Sequence, residues 1–243
     1  MINQKARGGR TSLHATCKFG HVHCTRTLIA ANADVNATDN DGMSPLMHLC
    51  LSNQVNDEEI LKALLSGKID IEKVLPADAA PAATDAEGTN SRARATALHL
   101  AAEHEHDEAA AQLLKANAVK DAERGDGHTP LTIAAGNGFE SIVSLVLEAG
   151  ADVNKQPAGN GRRTALHCAA QEGHLDIVRQ LLKVEANALL KTDNGETAAQ
   201  LAEARSDSPA HKAVAAALRE AELKRKGIRR RSDIGNLRPK HEN

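Results

Sequence analysis

Histidine and cysteine, the residue types that most often bind transition metals, are concentrated near the start of the chain. Five of them fall within eleven residues, namely His14, Cys17, His21, His23 and Cys24. A zinc site needs about four converging ligands. The seven-residue spacing of the first two histidines recurs further along the chain, in His99 with His106 and in His167 with His174. A position that recurs belongs to the fold rather than to one metal centre, so we predict no metal site.

Motifs for covalent catalysis or phosphate binding are missing from the sequence. It contains no GxSxG, HExxH, GxxxxGK[ST] or paired CxxC motif. Gly67-Lys68 lacks the glycine-rich loop that precedes a phosphate-binding lysine. Gly159-Asn160-Gly161 is predicted to lie in a turn, not between a strand and a helix. We therefore expect no catalytic residue, no cofactor and no enzymatic activity.

The histidines belong to a longer segment that recurs along the chain, and this recurrence decides the fold class. Six segments open with a hydroxyl residue and continue with a related pattern of Leu, His and Ala. They begin at Thr11, Ser44, Thr96, Thr129, Thr164 and Thr197. The successive spacings are 33, 52, 33, 35 and 33 residues. Chance does not produce this register, so each segment opens one copy of an internal repeat.

Each copy is predicted to form a tight turn followed by two helices. In four copies a glycine stands two residues before the hydroxyl residue, where a turn needs a positive φ. The third and fifth copies carry Arg94 and Arg162 there instead. The hydroxyl residue is placed to cap the first helix. Ile142-Val143 and Val146-Leu147 then follow at helical spacing and predict an amphipathic second helix.

These segments resemble the repeats of the ankyrin family. The resemblance covers about residues 8–220 and rests on TALHLAA, TALHCAA and GADVN, which recur in register. It implies an all-α solenoid of about six helix-turn-helix repeats, with β-turn fingers and with the first helices lining a concave face. It also implies that His14, His99 and His167 hydrogen-bond to backbone in the turns and tie the fingers together.

The spacing of the repeats gives the domain organisation. One repeat domain is predicted over residues 1–221, with repeats near 7–38, 39–71, 92–124, 125–157, 160–191 and 193–221. The loop inserted at 72–95 is either a tolerated insertion without function or a partner-specific contact or modification site.

A basic tail is predicted over residues 222–243. Its clustered basic residues are Lys224, Arg225, Lys226, Arg229, Arg230 and Arg231. Three interpretations stay open: a solvated end, a nuclear-import signal or clamp on an acidic protein, and contact with nucleic-acid phosphates.

Overall composition limits the partners and the compartment. A formal net charge of −2 argues against an electrostatic role of the whole chain at nucleic acid or membrane, so nucleic acid is expected only at the tail. No apolar run is long enough to span a membrane, and the first residues do not resemble a signal peptide. We expect reduced cysteines in a cytoplasmic, possibly nuclear, protein whose solenoid is monomeric by itself.

The family resemblance places partner contacts on the fingers and late in the first helices. The predicted finger contacts are Arg10, Met43, Asp126, His128, Arg163, Asn194 and Glu196. The predicted concave contacts are Lys18, Phe19, Leu51, Glu103, His104, Asn137, Gln171 and Glu172. Phe19, Met43 and Leu51 are apolar where exposure is expected and predict a small hydrophobic anchor. Two functions stay open: a protein-binding module or adaptor, and a fixed subunit of a large cytoskeletal or ribonucleoprotein assembly.

Overall fold

The computed structural model describes residues 2–52, 57–76, 92–205 and 208–227. Within these ranges the regular elements are all helical, with no strand. Twelve α-helices are described: Ser12–Lys18 (α1), Val22–Ala30 (α2), Pro45–Cys50 (α3), Asp57–Leu65 (α4), Ala97–Glu103 (α5), Asp107–Lys115 (α6), Pro130–Asn137 (α7), Glu140–Glu148 (α8), Ala165–Glu172 (α9), Leu175–Lys183 (α10), Ala198–Glu203 (α11) and Pro209–Arg225 (α12). Short 3₁₀ turns occupy Arg7–Gly9 and Ala158–Asn160.

The helices form six consecutive hairpins, α1–α2 to α11–α12, which we number as repeats one to six. First helices pack against first helices of the neighbouring repeats, and second helices against second helices. Each repeat therefore buries its faces against its neighbours, as a solenoid requires. The predicted all-α solenoid of about six repeats is confirmed.

Leucine and alanine fill the space between the repeats. Leu98 and Leu131 open the first helices of repeats three and four and are almost fully buried. The alanine pairs 101–102 and 134–135 that follow are completely buried. Small side chains at these positions let adjacent first helices approach closely, which explains how the fold manages with only two aromatic residues.

We call the turn that precedes each first helix a finger. In α1, α5 and α9 a buried histidine hydrogen-bonds within the first turn of its own helix and also to the finger of the next repeat. In α5, His99 Nδ1 accepts a hydrogen bond from the backbone N–H of Thr96 (3.1 Å), and its Nε2 donates to the carbonyl oxygens of Ala122 (3.0 Å) and His128 (3.2 Å). The Nε2 atoms of His14 and His167 donate likewise to Met43 O (3.0 Å) and Leu190 O (3.1 Å). The three histidines tie neighbouring repeats together as the family resemblance implies.

The left-handed turn residue is present in all six fingers. Gly9, Gly42, Gly127 and Gly195 have φ values of +73°, +76°, +78° and +78°. Arg94 and Arg162 take the same conformation, with φ of +60° and +56°. The two arginines thus adopt a backbone conformation that residues other than glycine rarely adopt.

The last helix crosses the boundary predicted between residues 221 and 222. Glu222 is only 4% exposed, and its Oε2 accepts a hydrogen bond from Arg219 (2.9 Å). The Arg225 guanidinium reaches the carbonyl oxygens of Glu185 (3.4 Å) and Ala186 (3.5 Å) in repeat five. Residues 222–225 therefore pack as part of the repeat array. Lys226 caps α12, and Arg229, Arg230 and Arg231 lie outside the described residues.

The two described ends of the insertion predicted over 72–95 meet in the backbone. Leu75 N donates to Ala95 O (3.0 Å), and Arg94 N donates to Leu75 O (2.8 Å). The segment 77–91 lies outside the described residues. Repeats two and three stack directly on each other, with α3 against α5 and α4 against α6.

Candidate functional site

A groove of about 650 Å³ runs along the concave side of repeats three to five. It lies between the fingers and the ends of α5, α7 and α9. Seven residues predicted as partner contacts line it: Glu103, His104, His128, Asn137, Arg163, Gln171 and Glu172. The structure therefore brings together the predicted contacts of the three central repeats.

Five further lining residues were not predicted from the sequence: Arg124, Thr132, Ile133, Gly136 and Cys168. A signal for Arg124 exists, because it stands five residues before the hydroxyl residue, as Asp39 and Thr192 do. In all three fingers the N–H of this residue donates to the carbonyl of the residue just before the hydroxyl residue. The side chain at this position therefore starts from the base of the finger, where the backbone hydrogen bond holds it.

Charged residues at one end of the groove form a network centred on Glu103. Its carboxylate accepts hydrogen bonds from the guanidinium groups of Arg92 (2.8 Å) and Arg124 (3.0 Å). Arg124 also forms a salt bridge with Asp126 (2.8 Å). Burial opposes ionisation of Glu103, but the hydrogen bond from Arg92 and the two guanidinium charges outweigh it and lower the pKa of the carboxyl. This end of the groove is held rigidly by mutual pairing of its charges.

Two imidazoles lie on the walls of the groove. Burial is the main cause of the lowered pKa of both His104 and His128. The Nδ1 of His128 is hydrogen-bonded to the Thr132 hydroxyl (3.2 Å). Both rings are therefore neutral near pH 7 and present hydrogen-bonding groups rather than positive charge.

The opposite end of the groove is tied to repeat six. Glu172 pairs with Arg205 (3.2 Å), and the Gln171 carbonyl accepts a hydrogen bond from His211 (2.9 Å). Asn137, in the middle, reaches the Glu103 carbonyl at 3.5 Å. Contacts between repeats thus fix both ends of the groove.

Of the other predicted contacts, Asp126 pairs with Arg124 beside the groove, and the rest lie toward the two ends of the array. Arg10 pairs with the buried Asp39 (3.4 Å), whose carboxylate also accepts a hydrogen bond from His48 (2.7 Å). At the other end of the array, Asn194 is exposed and Glu196 half-buried on the finger of repeat six. None of these predicted contacts lines the central groove.

The hydrophobic anchor predicted in the first two repeats is reduced to one residue. Phe19 is 58% exposed, and Lys18 Nζ lies 5.8 Å from its ring centroid. Met43 and Leu51 are partly buried and pack against the core. Their side chains serve the fold, which leaves Phe19 as the large apolar side chain available to a partner on this wall.

Phe19→Ala is expected to weaken partner binding by about tenfold, in the range of an aromatic interface residue, while leaving the unfolding midpoint within experimental error. Met43→Ala, a matched control, is expected to lower the unfolding midpoint because its side chain packs on the core. Titration of the partner with each variant, alongside circular dichroism, checks both. A Phe19→Ala variant with unchanged affinity would remove the residue from the binding surface.

The cysteines offer neither a metal site nor a reactive thiol in the central groove. Cys17, Cys50 and Cys168 are buried and Cys24 is exposed. Burial raises the pKa of the Cys168 thiol to about 12, which keeps it protonated. The described part of the chain holds no group of three or more His, Cys, Asp or Glu side chains arranged to bind a metal. It also contains no helix with the length and apolarity to cross a membrane.

Stacked helical hairpins with projecting fingers and a long concave groove define a repeat solenoid. The family model for ankyrin repeats matches this chain in three copies, over residues 1–74, 78–157 and 154–225. The chain belongs to the ankyrin-repeat family.

Known relatives and structures agree with this assignment. The chain is 29% identical over 189 residues to mouse ankyrin repeat and SOCS box protein 16, covering 68% of this chain and 41% of that protein. It is 32% identical over 174 residues to the chicken nuclear factor NF-kappa-B p105 subunit, covering 63% of this chain and 17% of that protein. The match thus spans less than half the length of either relative.

Two solved ankyrin-repeat domains superpose on most of the chain. The domain of human ASB11 gives a TM-score of 0.70 at 26% identity, covering 88% of this chain and 86% of that one. The domain of Bcl-3, of the IkappaB family, gives 0.67 at 28% identity, covering 83% and 81%. The likeness extends over the whole array rather than one repeat.

Proposed function

We propose that the chain binds a protein partner in the concave groove of repeats three to five, with the neighbouring fingers and the exposed Phe19 of repeat one as additional contacts. Ankyrin-repeat domains in general are protein–protein interaction modules, and this chain has their fold. The groove, which gathers seven outward-facing residues that vary between repeats, carries the proposal.

Rigidity of the groove supports a binding role. The Glu103 network and the Glu172–Arg205 pair hold side chains that would otherwise lose rotamer entropy on binding. Charged, amide and imidazole side chains line the groove and can form hydrogen bonds with a partner. A partner therefore meets a surface that is largely preorganised.

Site-specific photo-crosslinking tests the location of the partner. A photoreactive residue at Asn137, exposed on the wall of the groove, is expected to capture a discrete protein from native extract. The same residue at Glu148, exposed at the end of α8 on the second-helix layer of the same repeat, is the matched control and is expected to capture little. Equal capture at both positions, or capture at Glu148 alone, would contradict binding in the groove. Competition with unlabelled chain distinguishes a reversible adaptor from a fixed subunit.

A further inference from the structure

Two arginines occupy equivalent, sterically unfavourable positions on the fingers of repeats three and five. Arg94 and Arg162 each precede the opening threonine by two residues, where the other four repeats have glycine. Their φ values of +60° and +56° place an arginine in the left-handed region. The conformation alone does not single out the arginines, because a positive φ is also found at Asn32, Glu105, Asn117 and Glu185. The exposed positive charge of the two arginines at the fingers does.

The backbone holds both arginines in the same relation to the next finger. The carbonyl oxygen of Ala93, just before Arg94, accepts a hydrogen bond from Gly125 N, and that of Gly161, just before Arg162, accepts one from Asp193 N (2.9 Å). The two guanidinium groups therefore project from matching, hydrogen-bonded turns separated by one repeat.

In the described part of this region the acidic side chains of the groove are paired, whereas three arginines are not. Glu103, Asp126 and Glu172 each pair with an arginine of the array. Arg94, Arg162 and Arg163 form no ion pair with any residue of the described ranges, although Arg162 reaches the Gln156 amide oxygen at 3.3 Å. Arg94 and Arg162 are exposed, and Arg163 lines the groove. On the described fingers of repeats three to five, the charge still available to a partner is therefore positive. On the next finger, that of repeat six, Asp193 and Glu196 form no ion pair within the described ranges and carry negative charge.

We propose that Arg94, Arg162 and Arg163 form a row that binds an acidic segment of the partner protein as it crosses the fingers of repeats three to five. The inference rests on the proposed function and names the chemistry of the partner. Arg94 and Arg162 contact carboxylates at the tips, and Arg163 takes one at the rim of the groove. The guanidinium group suits this role, since it can bind a carboxylate through two parallel hydrogen bonds.

A protein segment fits the row better than a nucleic acid. The chain has two aromatic residues, Phe19 and Phe139, and neither lies in these fingers, so the row has no platform on which bases could stack. A peptide with spaced carboxylates needs no such platform, because each guanidinium group can bind one carboxylate.

The test uses a synthetic peptide of alternating Glu and Leu with one Trp, titrated against the full chain. The chain contains no Trp or Tyr, so the fluorescence of the peptide reports binding without background. We expect Arg94→Gly with Arg162→Gly to weaken binding about fivefold at low salt, in the range of two exposed ion pairs. Arg163→Gln added to this pair is expected to weaken it further. Glycine suits a positive φ, so the melting temperature of the double variant should stay unchanged or rise.

Controls separate charge at the row from charge elsewhere. Lys115→Ala with Lys183→Ala removes two exposed positive charges from the second helices α6 and α10 and is expected to change affinity less than twofold. The same peptide with Gln for Glu should bind weakly and equally to all variants.

Any one of three results would overturn the inference. The first is that the Glu and Gln peptides bind with equal affinity, and the second is that the Arg94→Gly, Arg162→Gly variant binds the Glu peptide as tightly as the unmodified chain does. The third is that an oligothymidylate of matched charge binds more tightly than the Glu peptide. Photo-crosslinking at Asn137 that succeeds while the arginine variants bind normally would leave the proposed function standing and reject the arginine row alone.

Discussion

The free energy of unfolding is expected to fall steeply as the pH is lowered from 6.5 to 4, before most carboxylates are protonated. The main cause is the set of buried histidines at the first turns of α1, α5 and α9. Burial is the main factor that lowers the pKa of His14, His99 and His167, and for His99 the value is about 4. The unfolded chain, with ordinary imidazole pKa values near 6.5, takes up protons that the folded chain does not.

Hydrogen-bond geometry explains why the folded state resists protonation. In each histidine Nδ1 accepts a hydrogen bond from a threonine N–H, at 3.1 Å in His14 and His99 and 3.2 Å in His167. A second proton would have to sit on this nitrogen, which would turn an acceptor into a donor facing another donor. Protonation therefore requires the first turn of the helix to open.

Nearby charges modify this effect without reversing it. The guanidinium of Arg124 disfavours protonation of His99, and Asp126 favours it. For His167 the corresponding charges are Arg163 and Glu196, and His14 faces His48 and Asp39. In all three residues desolvation exceeds these contributions. Each histidine therefore contributes stability that is full above pH 6.5 and is lost as the pH falls toward its folded pKa.

The size of the effect follows from the His99 value alone. A difference between about 4 in the folded state and 6.5 in the unfolded state corresponds to roughly 3 kcal/mol. His14 and His167 add to this. The stability of a repeat array depends on the interfaces between its repeats. Weakening three of these interfaces is therefore expected to lower the free energy of unfolding of the whole array.

Urea titrations at a series of pH values measure how steeply the free energy of unfolding changes with pH. A glutamine variant provides the control. Repeat six has Gln200 in place of the histidine, and its Oε1 accepts the Thr197 N–H at 2.8 Å. Substitution of glutamine at positions 14, 99 and 167 therefore keeps an acceptor and removes the titration. The variant should be less stable at pH 7, and its free energy of unfolding should fall less steeply between pH 6.5 and 4. The remaining slope comes from the other histidines whose pKa is lowered by burial, namely His48, His104, His106 and His128. An equally steep slope in the variant would show that other groups cause the acid loss.

The repeat register made the fold and these histidines predictable. The threonine and histidine positions recur at fixed spacing, and the same local geometry recurs with them. Repeats two, four and six are the exceptions, with Met47, Thr132 and Gln200 at the histidine position. In repeat two, His48 bonds Asp39 instead. An alternation of this kind depends on a contact between the finger and the helix, which spacing alone does not reveal.

The groove was less predictable because it depends on pairing between repeats. Glu103 was predicted as an exposed contact, yet two arginines from two different fingers, Arg92 and Arg124, engage it. Met43 and Leu51 looked equally available as apolar contacts, but both pack against the core. Sequence patterns locate a residue within its repeat, whereas exposure depends on which side chains the adjacent repeats place beside it.

Gly127→Ala is expected to destabilise the array by about 2–4 kcal/mol, through two separate effects. The φ of +78° costs an alanine about 1 kcal/mol. In addition, a Cβ at this position would lie 2.4 Å from Gly159 Cα and 2.5 Å from Asn160 N in the next finger. These are backbone atoms, so the contact is relieved only if the fingers of repeats four and five move apart, a strain of about 1–3 kcal/mol.

Gly195→Ala separates the two effects, because Gly195 occupies the same turn position in repeat six with the same φ of +78°. A Cβ there meets nothing within 4 Å. The substitution should therefore cost only the backbone term, about 1 kcal/mol, and chemical unfolding of the two variants at pH 7 measures the difference. Equal losses would mean that the fingers separate freely and that their contact adds little stability. A larger loss in Gly127→Ala would show that packing between fingers helps to hold the groove in shape, since Arg124 and Arg163, which line it, extend from these same two fingers.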